Sequence, residues 1–360
     1  MPLPVEIRIV IPCYNEPEII QTLQSLWACR RPACGVEIIV IINSYRITPE
    51  PIRLFNHQTY EALMAFAQTR PTPDLRLTPR MVEDLPGHQT GAGLPRKTGM
   101  DRAAAQFESE NRPQGIVVSL DADCTVAENY LTEIYRRFRQ YRLKSATIEF
   151  HHPVEHLPEN DDLRKATECY EAYLRDYRSA LEATGYPYPY YTIGSAFAVT
   201  AQTYRQAGGM GKQQAGEDFY FLQKVFPLGN TQFIADTCVY PAARISDRVP
   251  FGTGPAIAKM VNEKQFCQPP YPPEAFTELK NLFDKTGSFF RQEAPAVEEL
   301  LRDLPVHTRK FLTEEHFLEK IAEINRHTRT PEAFKKRFFG YFTAFKIRKY
   351  LNFVQSAALS

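Results

Sequence analysis

Two aspartates separated by one residue, Asp121 and Asp123, are the side chains of this 360-residue chain that point most directly to chemistry. They follow an apolar run, residues 115–120, whose pattern predicts a buried strand. Carboxylates this close repel each other, and a hard divalent cation such as Mg²⁺ or Mn²⁺ relieves the repulsion while it bridges to phosphate oxygens. The pair therefore predicts a metal–diphosphate site, although an isolated Asp-x-Asp is also common in turns and helix caps.

A second acidic pair, Glu217 and Asp218, begins a stretch with helical spacing of apolar residues. A carboxylate at a helix start often caps the helix. The alternative role is that of a general base, in which Asp218 takes a proton from an acceptor hydroxyl as that hydroxyl attacks an anomeric carbon. The two roles can coexist, with one of the two carboxylates capping the helix and the other facing a pocket.

Basic and imidazole side chains offer further partners for a diphosphate or a metal. Arg244 and Arg248 precede a Gly-Thr-Gly sequence, which suggests a lid that folds over phosphates; the alternative is an ordered loop held by salt bridges. His151 or His152 is a candidate for a further metal ligand, and at most one of them qualifies because neighbouring strand residues point to opposite faces.

Aromatic side chains occur in two clusters. The tyrosine-rich residues 186–191 suggest an acceptor-binding wall, which makes Tyr190 and Tyr191, with Gly194 and Ser195 just after them, candidate acceptor residues; a packed loop is the alternative. Residues 334–353 carry a phenylalanine stripe with basic neighbours. Such a stripe usually packs on the protein's own core, and the alternative is peripheral contact with an anionic membrane.

The elements that position these residues alternate between strands and helices. Residues 7–11, 37–42 and 115–120 are mainly apolar and predict buried parallel strands, and residues 18–28 predict a helix between the first two. Ligands bind at the carboxyl ends of such strands. Residues 12–16, Asn43 and the aspartate pair each follow one of the strands, so we expect them to meet there.

The rest of the chain completes the predicted domain organisation. Residues 70–93 are rich in Pro and Gly and predict a long surface loop, whereas helical patterns dominate from about residue 273. We therefore predict a catalytic α/β domain over residues 1–254, with a mostly parallel, Rossmann-like sheet flanked by helices. A C-terminal helical extension is predicted over residues 255–360.

Composition excludes several classes of protein. The formal net charge of +1 provides no global field for binding nucleic acid. Seven scattered cysteines without a Cys-x-x-Cys pair argue against a disulfide framework or a zinc site and favour a reducing compartment. Neither a signal peptide nor an apolar membrane span is recognisable, so the sequence predicts a cytoplasmic protein. Peripheral contact with the inner face of the membrane is compatible with this prediction.

Taken in order, these features resemble the family 2 glycosyltransferases, inverting enzymes of the GT-A fold. The resemblance covers roughly residues 5–250. It includes the Pro-Cys-Tyr-Asn-Glu turn at 12–16 and, at 93–99, a loose match to the family's Gly/Ala-Arg-Asn-x-Gly motif. The aspartate pair, the strand at 194–200, the glycine pair 208–209 and the Glu-Asp pair follow in the family's order. The processive members carry Gln-x-x-Arg-Trp, which has no match here, so the resemblance is to the non-processive members.

The resemblance implies roles for individual residues. It implies a UDP- or GDP-sugar donor and a Mn²⁺ or Mg²⁺ ion, with Asp123 as metal ligand and Asp121 facing the metal's outer sphere or the ribose. Asp218 is then the base. It also suggests Pro12, Tyr14, Glu16 and Arg96 as donor contacts. Three further candidate donor contacts do not come from the resemblance: Asn43, from its place after the second strand, and Arg244 with Arg248, from the predicted lid, which has no firm counterpart in the family.

Asn43 departs from the family pattern, because an aspartate is usual after the second strand. An amide both donates and accepts hydrogen bonds, so the base is left open.

The sequence leaves two other functions open. A sugar nucleotidyltransferase is the nearest rival enzyme, but the turn at 12–16 lacks the glycine-rich basic sequence that wraps a triphosphate. A non-catalytic protein that only binds nucleotide sugars is the other, and the retention of Asp121, Asp123 and Asp218 argues against it. The acceptor, a saccharide or a lipid-linked sugar, is not determined.

Overall fold

The computed structural model describes residues 3–86, 92–211, 216–245, 253–266 and 271–358, with side chains up to residue 356. Its strands are β1 (Val5–Cys13), β2 (Gly35–Tyr45), β3 (Leu75–Leu85), β4 (Ile116–Ser119), β5 (Cys124–Val126), β6 (Ser145–Phe150), β7 (Phe197–Thr200) and β8 (Thr231–Pro241). The helices among and directly after them are α1 (Ile19–Ala28), α2 (Glu50–Thr69), α3 (Gly93–Ser109), α4 (Tyr130–Tyr141), α5 (Asp162–Ala183), α6 (Ala201–Gln206), α7 (Glu217–Val225) and α8 (Thr253–Glu263). The later helices are α9 (Pro273–Asp284), α10 (Ala294–Leu301), α11 (Val306–Glu314), α12 (Phe317–Arg326), α13 (Pro331–Tyr341) and α14 (Ala344–Ala358).

The strands form one mixed sheet in the order β3-β2-β1-β4-β7-β6-β8-β5 among the described residues. The first four are parallel, β6 and β8 are also parallel, β7 runs antiparallel between β4 and β6, and β5 is antiparallel to β8. The predicted fold class is confirmed: a largely parallel sheet is flanked by helices and followed by a C-terminal series of helices. The predicted strands at 7–11, 37–42 and 115–120 correspond to β1, β2 and β4.

Isoleucine and valine build the centre of this sheet. Every residue of β2 is buried, which is typical of a parallel strand covered on both faces. Helix α3 packs closely against it at Gly99, where an added Cβ would lie 2.3 Å from Val10 Cγ1 and 3.0 Å from Ile41 Cγ1. The glycine therefore sets how near α3 approaches the sheet.

The prediction of a long loop over residues 70–93 is wrong, because β3 occupies residues Leu75–Leu85. This strand pairs in parallel with β2 and lies at an edge of the sheet. Pro79 lacks an N–H group and is opposite Val40, and proline is tolerated in an edge strand because one side of the strand needs no partner. Proline content alone was misleading here.

Two compact units divide the chain, Met1–Tyr170 with Tyr191–Cys267, and Glu171–Tyr190 with Gln268–Ser360. The first contains the sheet. The second is helical and has its own core, in which Phe289, Phe311, Phe317 and Phe338 are fully buried. None of the described helices combines the length and the apolar character that crossing a membrane requires.

Candidate active site

The turn after β1 is held to the end of β2 by one side chain of α2. Asn15 adopts a left-handed conformation, with φ of 47°, and its N–H group donates to Asn56 Oδ1 at 3.0 Å. Asn56 Nδ2 in turn donates to the carbonyl oxygen of Asn43 at 2.9 Å and to Ser44 Oγ at 3.1 Å. These bonds place Tyr14 and Glu16 beside the carboxyl end of β2.

Asn43 has the clearest unmet hydrogen-bonding capacity at this edge. Its side chain is fully buried, and neither Nδ2 nor Oδ1 has a partner in the part of the chain that the structure describes. A buried amide without partners costs free energy, so it is suited to a ligand that both donates and accepts. Tyr14 lies near it in the fold, half-buried and packed edge-on against Tyr45, while Pro12 is buried within β1.

The Asp121–Asp123 loop is held from two sides. Leu120 N–H donates to Val10 O at 3.1 Å, which extends the β1–β4 pairing up to the loop. Thr22 of α1 donates through Oγ1 to Ala122 O at 2.8 Å, and Ala242 N–H donates to Asp123 O at 3.1 Å. The two aspartates are thus fixed at the carboxyl end of β4, as the sequence predicts.

The pairing of β5 with β8 explains why Arg244 reaches this loop. Cys124 is opposite Pro241, so the residues just after β8 run beside Asp123. Arg244 Nη2 lies 2.6 Å from Asp123 Oδ2, Nη1 lies 3.2 Å from Glu16 Oε1, and Nη2 also contacts Glu16 Oε2. Arg244 therefore bridges two predicted donor-binding residues, whereas Arg248 lies outside the described residues.

The electrostatics of Asp123 favour an added cation. Burial and the neighbouring charge of Asp121 raise the pKa of Asp123, and Arg244 opposes the rise only in part. Within the described residues, no group of three or more His, Cys, Asp or Glu side chains is arranged to hold a metal alone. Magnesium is commonly bound by one or two carboxylates together with substrate phosphates, so this pair fits an ion that binds along with a diphosphate.

Arg96, in the first turns of α3, is 3% exposed and makes several polar contacts with neighbouring elements. Nη2 lies 2.9 Å from Asp121 Oδ1, and Nε donates to Glu217 Oε1 at 3.1 Å. Nη1 donates to Ser119 Oγ at 2.7 Å and to Gly194 O at 2.9 Å. Burial lowers the pKa of Arg96, but the surrounding carboxylates outweigh burial and raise it, so the guanidinium stays charged.

The Glu-Asp pair lies in the first turn of α7. Gly216, with φ of 70°, occupies the N-cap position and no side chain caps it, so neither carboxylate is the cap residue. Asp218 Oδ1 accepts the N–H of Phe219 at 2.7 Å, and the residue is half-buried. Burial and the charge of Glu217 raise the pKa of Asp218 to about 7, which suits a general base near neutral pH.

The candidate acceptor residues lie in different surroundings. Gly194 and Ser195 are buried beside the Arg96 contacts, where Gly194 O also accepts from Ser119 Oγ at 2.6 Å. Tyr191 is buried against Phe150 and Phe233, with ring centroids 5.2 Å and 5.5 Å away. Tyr190 belongs to the helical unit and is half-buried. Their role toward an acceptor stays a prediction.

The histidines considered as metal ligands have other contacts. His151 Nε2 pairs with Glu155, and His152 is buried with its ring edge-on to Phe150, centroids 6.1 Å apart. Neither contact involves the aspartate pair, and a metal role for either histidine stays a prediction.

Three residues that organise the site were not identified from the sequence: Thr22, Asn56 and Ser119. Each is buried: Thr22 and Ser119 lie among apolar residues of α1 and β4, and Asn56 lies on the buried face of α2. A buried polar side chain needs a partner, and that requirement was the available signal. The partner itself depends on tertiary structure, so its identity is not readable from spacing.

No protein-family model matches the chain, and no curated protein sequence matches it. Among solved structures, S. aureus TarS 1-349 in complex with UDP-GlcNAc is similar, with 13% identity, a TM-score of 0.47, and coverage of 92% of this chain and 90% of that one. S. aureus TarS 1-349 in complex with UDP is similar at 12% identity and a TM-score of 0.45, covering 99% of this chain and 92% of that one. The site's own residues therefore carry the functional inference.

Proposed function

We propose that the chain is a divalent-metal-dependent glycosyltransferase of the GT-A, family 2 type. It transfers a hexosyl group from a UDP- or GDP-sugar to a hydroxyl of a saccharide or lipid-linked acceptor. One observation carries the proposal: the Asp121–Asp123 loop and the Asp218 helix start are joined through the buried Arg96 in one charged cluster. A carboxylate pair for diphosphate and a second carboxylate poised as a base are what glycosyl transfer requires.

On the donor side, the nucleotide base binds at Pro12, Tyr14 and Asn43, whose unpartnered amide faces the base edge. The diphosphate lies against Asp123, where Arg244 exchanges its carboxylate partners for phosphate oxygens. Asp121 faces the ribose. A bound Mn²⁺ or Mg²⁺ ion supplies Lewis-acid stabilisation of the departing diphosphate.

On the acceptor side, Asp218 takes the proton of the attacking hydroxyl. The acceptor oxygen forms a new bond to the anomeric carbon, and the bond from that carbon to the diphosphate oxygen breaks with its electron pair. The nucleoside diphosphate leaves, and a single displacement inverts the anomeric configuration. A base whose pKa is raised to about 7 is partly ionised at neutral pH and binds the proton well enough to accept it.

Ligand-induced stabilisation tests the donor site. We expect one class of UDP- or GDP-sugars to raise the unfolding temperature in the presence of Mn²⁺, because a ligand that binds only the folded state stabilises it. Asp123→Ala is expected to lose this shift. Stabilisation by no nucleotide sugar, with or without Mn²⁺, would contradict the proposal.

Turnover separates the alternatives. A protein that only binds nucleotide sugars would be stabilised without releasing nucleoside diphosphate. A nucleotidyltransferase would instead form pyrophosphate from a nucleoside triphosphate and a sugar phosphate. Slow release of nucleoside diphosphate that disappears in Asp218→Asn is the glycosyltransferase result.

A further inference from the structure

The guanidinium of Arg96 lies between the two carboxylate groups of the proposed site rather than open to solvent. It contacts Asp121 after β4 on one side and Glu217 at the start of α7 on the other, at 2.9 Å and 3.1 Å. Its remaining contacts, to Ser119 Oγ and Gly194 O, use Nη1. With 3% of the residue exposed, Arg96 presents little surface to a ligand.

Glu217 is equally enclosed. Its side chain is 6% exposed, and Oε1 accepts from Arg96 Nε. Asp218, the next residue, is more open and packs close to the same guanidinium: an added Cβ at Gly194 would lie 2.9 Å from Arg96 Nη2 and 3.0 Å from Asp218 Oδ2. The two neighbouring carboxylates thus differ: Glu217 is hydrogen-bonded to Arg96, whereas Asp218 lies beside it.

We propose that Arg96 and Glu217 are positioning residues that hold Asp121 and the start of α7 in one fixed relation. Through them the donor aspartate and the base Asp218 keep the spacing that transfer requires. This inference rests on the proposed function. It assigns the proton transfer to Asp218 alone and gives Arg96 no contact with base or phosphate.

The chemistry of the two side chains fits this role. A guanidinium is a rigid, planar, charged group, so it can hold two carboxylates at a defined separation: Arg96 donates a hydrogen bond to Glu217 and forms an ion pair with Asp121. A lysine keeps the charge but lacks this planar group. Gly194 is part of the arrangement, because a larger residue there would push against both Arg96 and Asp218.

Two isosteric substitutions at neighbouring positions separate positioning from proton transfer. Glu217→Gln keeps an oxygen that accepts from Arg96 Nε, whereas Asp218→Asn removes a base and keeps its shape. We expect Glu217→Gln to retain at least about a fifth of the wild-type rate of nucleoside diphosphate release, and Asp218→Asn to lose about 10²-fold or more. The probe is whichever UDP- or GDP-sugar the wild type hydrolyses with Mn²⁺.

Removing the contact between Glu217 and Arg96 is expected to lower activity more than weakening it does. Glu217→Ala should lower the release rate by about 10²-fold, because small displacements of catalytic groups have effects of this size. The Kd of UDP or GDP with Mn²⁺, measured by calorimetry, should change less than about threefold, since Asp121 and Asp123 remain. Arg96→Lys should lower both the release rate and the nucleotide affinity.

Combining substitutions provides the decisive comparison. In the Glu217→Ala background, Arg96→Lys should lower the release rate at saturating donor by a smaller factor than it does in the wild type, because the contact between Arg96 and Glu217 is already lost. Two results would overturn the proposal: a double variant whose loss of release rate is the product of the two single losses, or a Glu217→Gln variant that is as inactive as Asp218→Asn. Arg205→Gln, which breaks an exposed pair with Glu108, is the matched control and should leave rate and affinity unchanged.

Failure of the proposed function would give a different result from failure of the positioning inference. In that case the wild type would release no nucleoside diphosphate from any of the donors, and the positioning inference would fall with it. An active wild type in which Glu217→Gln is inactive contradicts the positioning role alone. Should Glu217→Ala fail to fold, the comparison of Glu217→Gln with Asp218→Asn decides the question.

Discussion

The carboxylate of Asp218 lies among charged groups of both signs: Glu217 and Asp121 raise its pKa, and Arg96 lowers it. Burial is the largest cause of the rise, and the resulting pKa is about 7. If Asp218 is the base, only its ionised form is active. We therefore predict that kcat/KM rises with pH and levels off above about 7. A pH–rate profile measured with the hydrolysed donor checks this, and a profile that falls over the same range would contradict it.

The same pKa predicts how Asp218 affects stability. The folded-state pKa is raised above the usual value near 3.9, so the folded state binds more protons than the unfolded state between about pH 4 and pH 7. The stability that this preference contributes is present below pH 4 and is lost as pH rises through 7. We expect Asp218→Asn to raise the unfolding temperature relative to wild type at pH 8, with little difference at pH 4. An equal difference in unfolding temperature between variant and wild type at pH 4 and pH 8 would contradict the raised pKa of Asp218.

If a metal ion binds at Asp123 as proposed, Arg244 competes with it for that carboxylate in the nucleotide-free protein. Because Arg244 contacts Asp123 and Glu16, Arg244→Gln leaves two carboxylates with less compensation. We predict that this variant binds Mn²⁺ about tenfold more tightly without nucleotide, equivalent to about 1.4 kcal/mol. Electron paramagnetic resonance of free Mn²⁺ measures it. Unchanged or weaker binding than in wild type, with Arg205→Gln as control, would argue against the competition.

At the residue scale, sequence reasoning identified carboxylates better than their partners. Asp121, Asp123 and Asp218 stood out because each lies at the end of a strand or the start of a helix. The link from Arg96 to Glu217 was not predictable, since the two are far apart in the chain and meet only when α3 and α7 come together in the folded protein. Asn56 was missed for the same reason.

At the element scale, the approach of α3 to the sheet determines where Arg96 lies. Gly99 follows Arg96 by about one helical turn and has Val10 and Ile41 where a Cβ would be. We predict that Gly99→Ala lowers the unfolding free energy by about 1–3 kcal/mol, because overpacking forces the helix and sheet apart.

Urea unfolding followed by circular dichroism measures this effect. Gly340 in α13 has open space around it and is the matched control, for which alanine should stabilise by about 0.5–1 kcal/mol. Equal effects of the two substitutions would show that close packing at Gly99 is unimportant.

Element prediction succeeded where the hydrophobic pattern was unambiguous and failed where composition was used instead. Strands β1, β2 and β4 each contain a run rich in isoleucine and valine, and β2 is buried along its whole length. Strand β3 contains Pro79 and several exposed residues, so its sequence looks like a loop although it pairs with β2. The pairing depends on a neighbour that the local sequence does not show.

At the scale of the whole molecule, the helical unit stabilises itself through an aromatic core. Phe338 is fully buried, stacks on Phe342 with centroids 5.9 Å apart, and packs edge-on against Phe339 and Phe317. Phe334 is buried as well, whereas Phe345, which continues the predicted stripe, is 58% exposed. The stripe therefore packs inward for most of its length, and contact with a membrane stays a prediction.

We expect Phe338→Ala to destabilise the helical unit by about 3–5 kcal/mol, the usual cost of deleting a buried aromatic ring. Faster hydrogen exchange in peptides from α13 and α14 would report it. Phe345→Ala is the control and should change stability by less than about 0.5 kcal/mol. Similar exchange in both variants would contradict this view of the core.

We propose that the chain cleaves a nucleotide sugar at the site formed by Asp121, Asp123 and Asp218. The most direct measurement is the release of nucleoside diphosphate from a panel of UDP- and GDP-sugars with Mn²⁺, for wild type, Asp123→Ala and Asp218→Asn. We predict release by the wild type from at least one donor and a loss of about 10²-fold or more in both variants. No release from any donor, or equal release by all three proteins, would contradict the account.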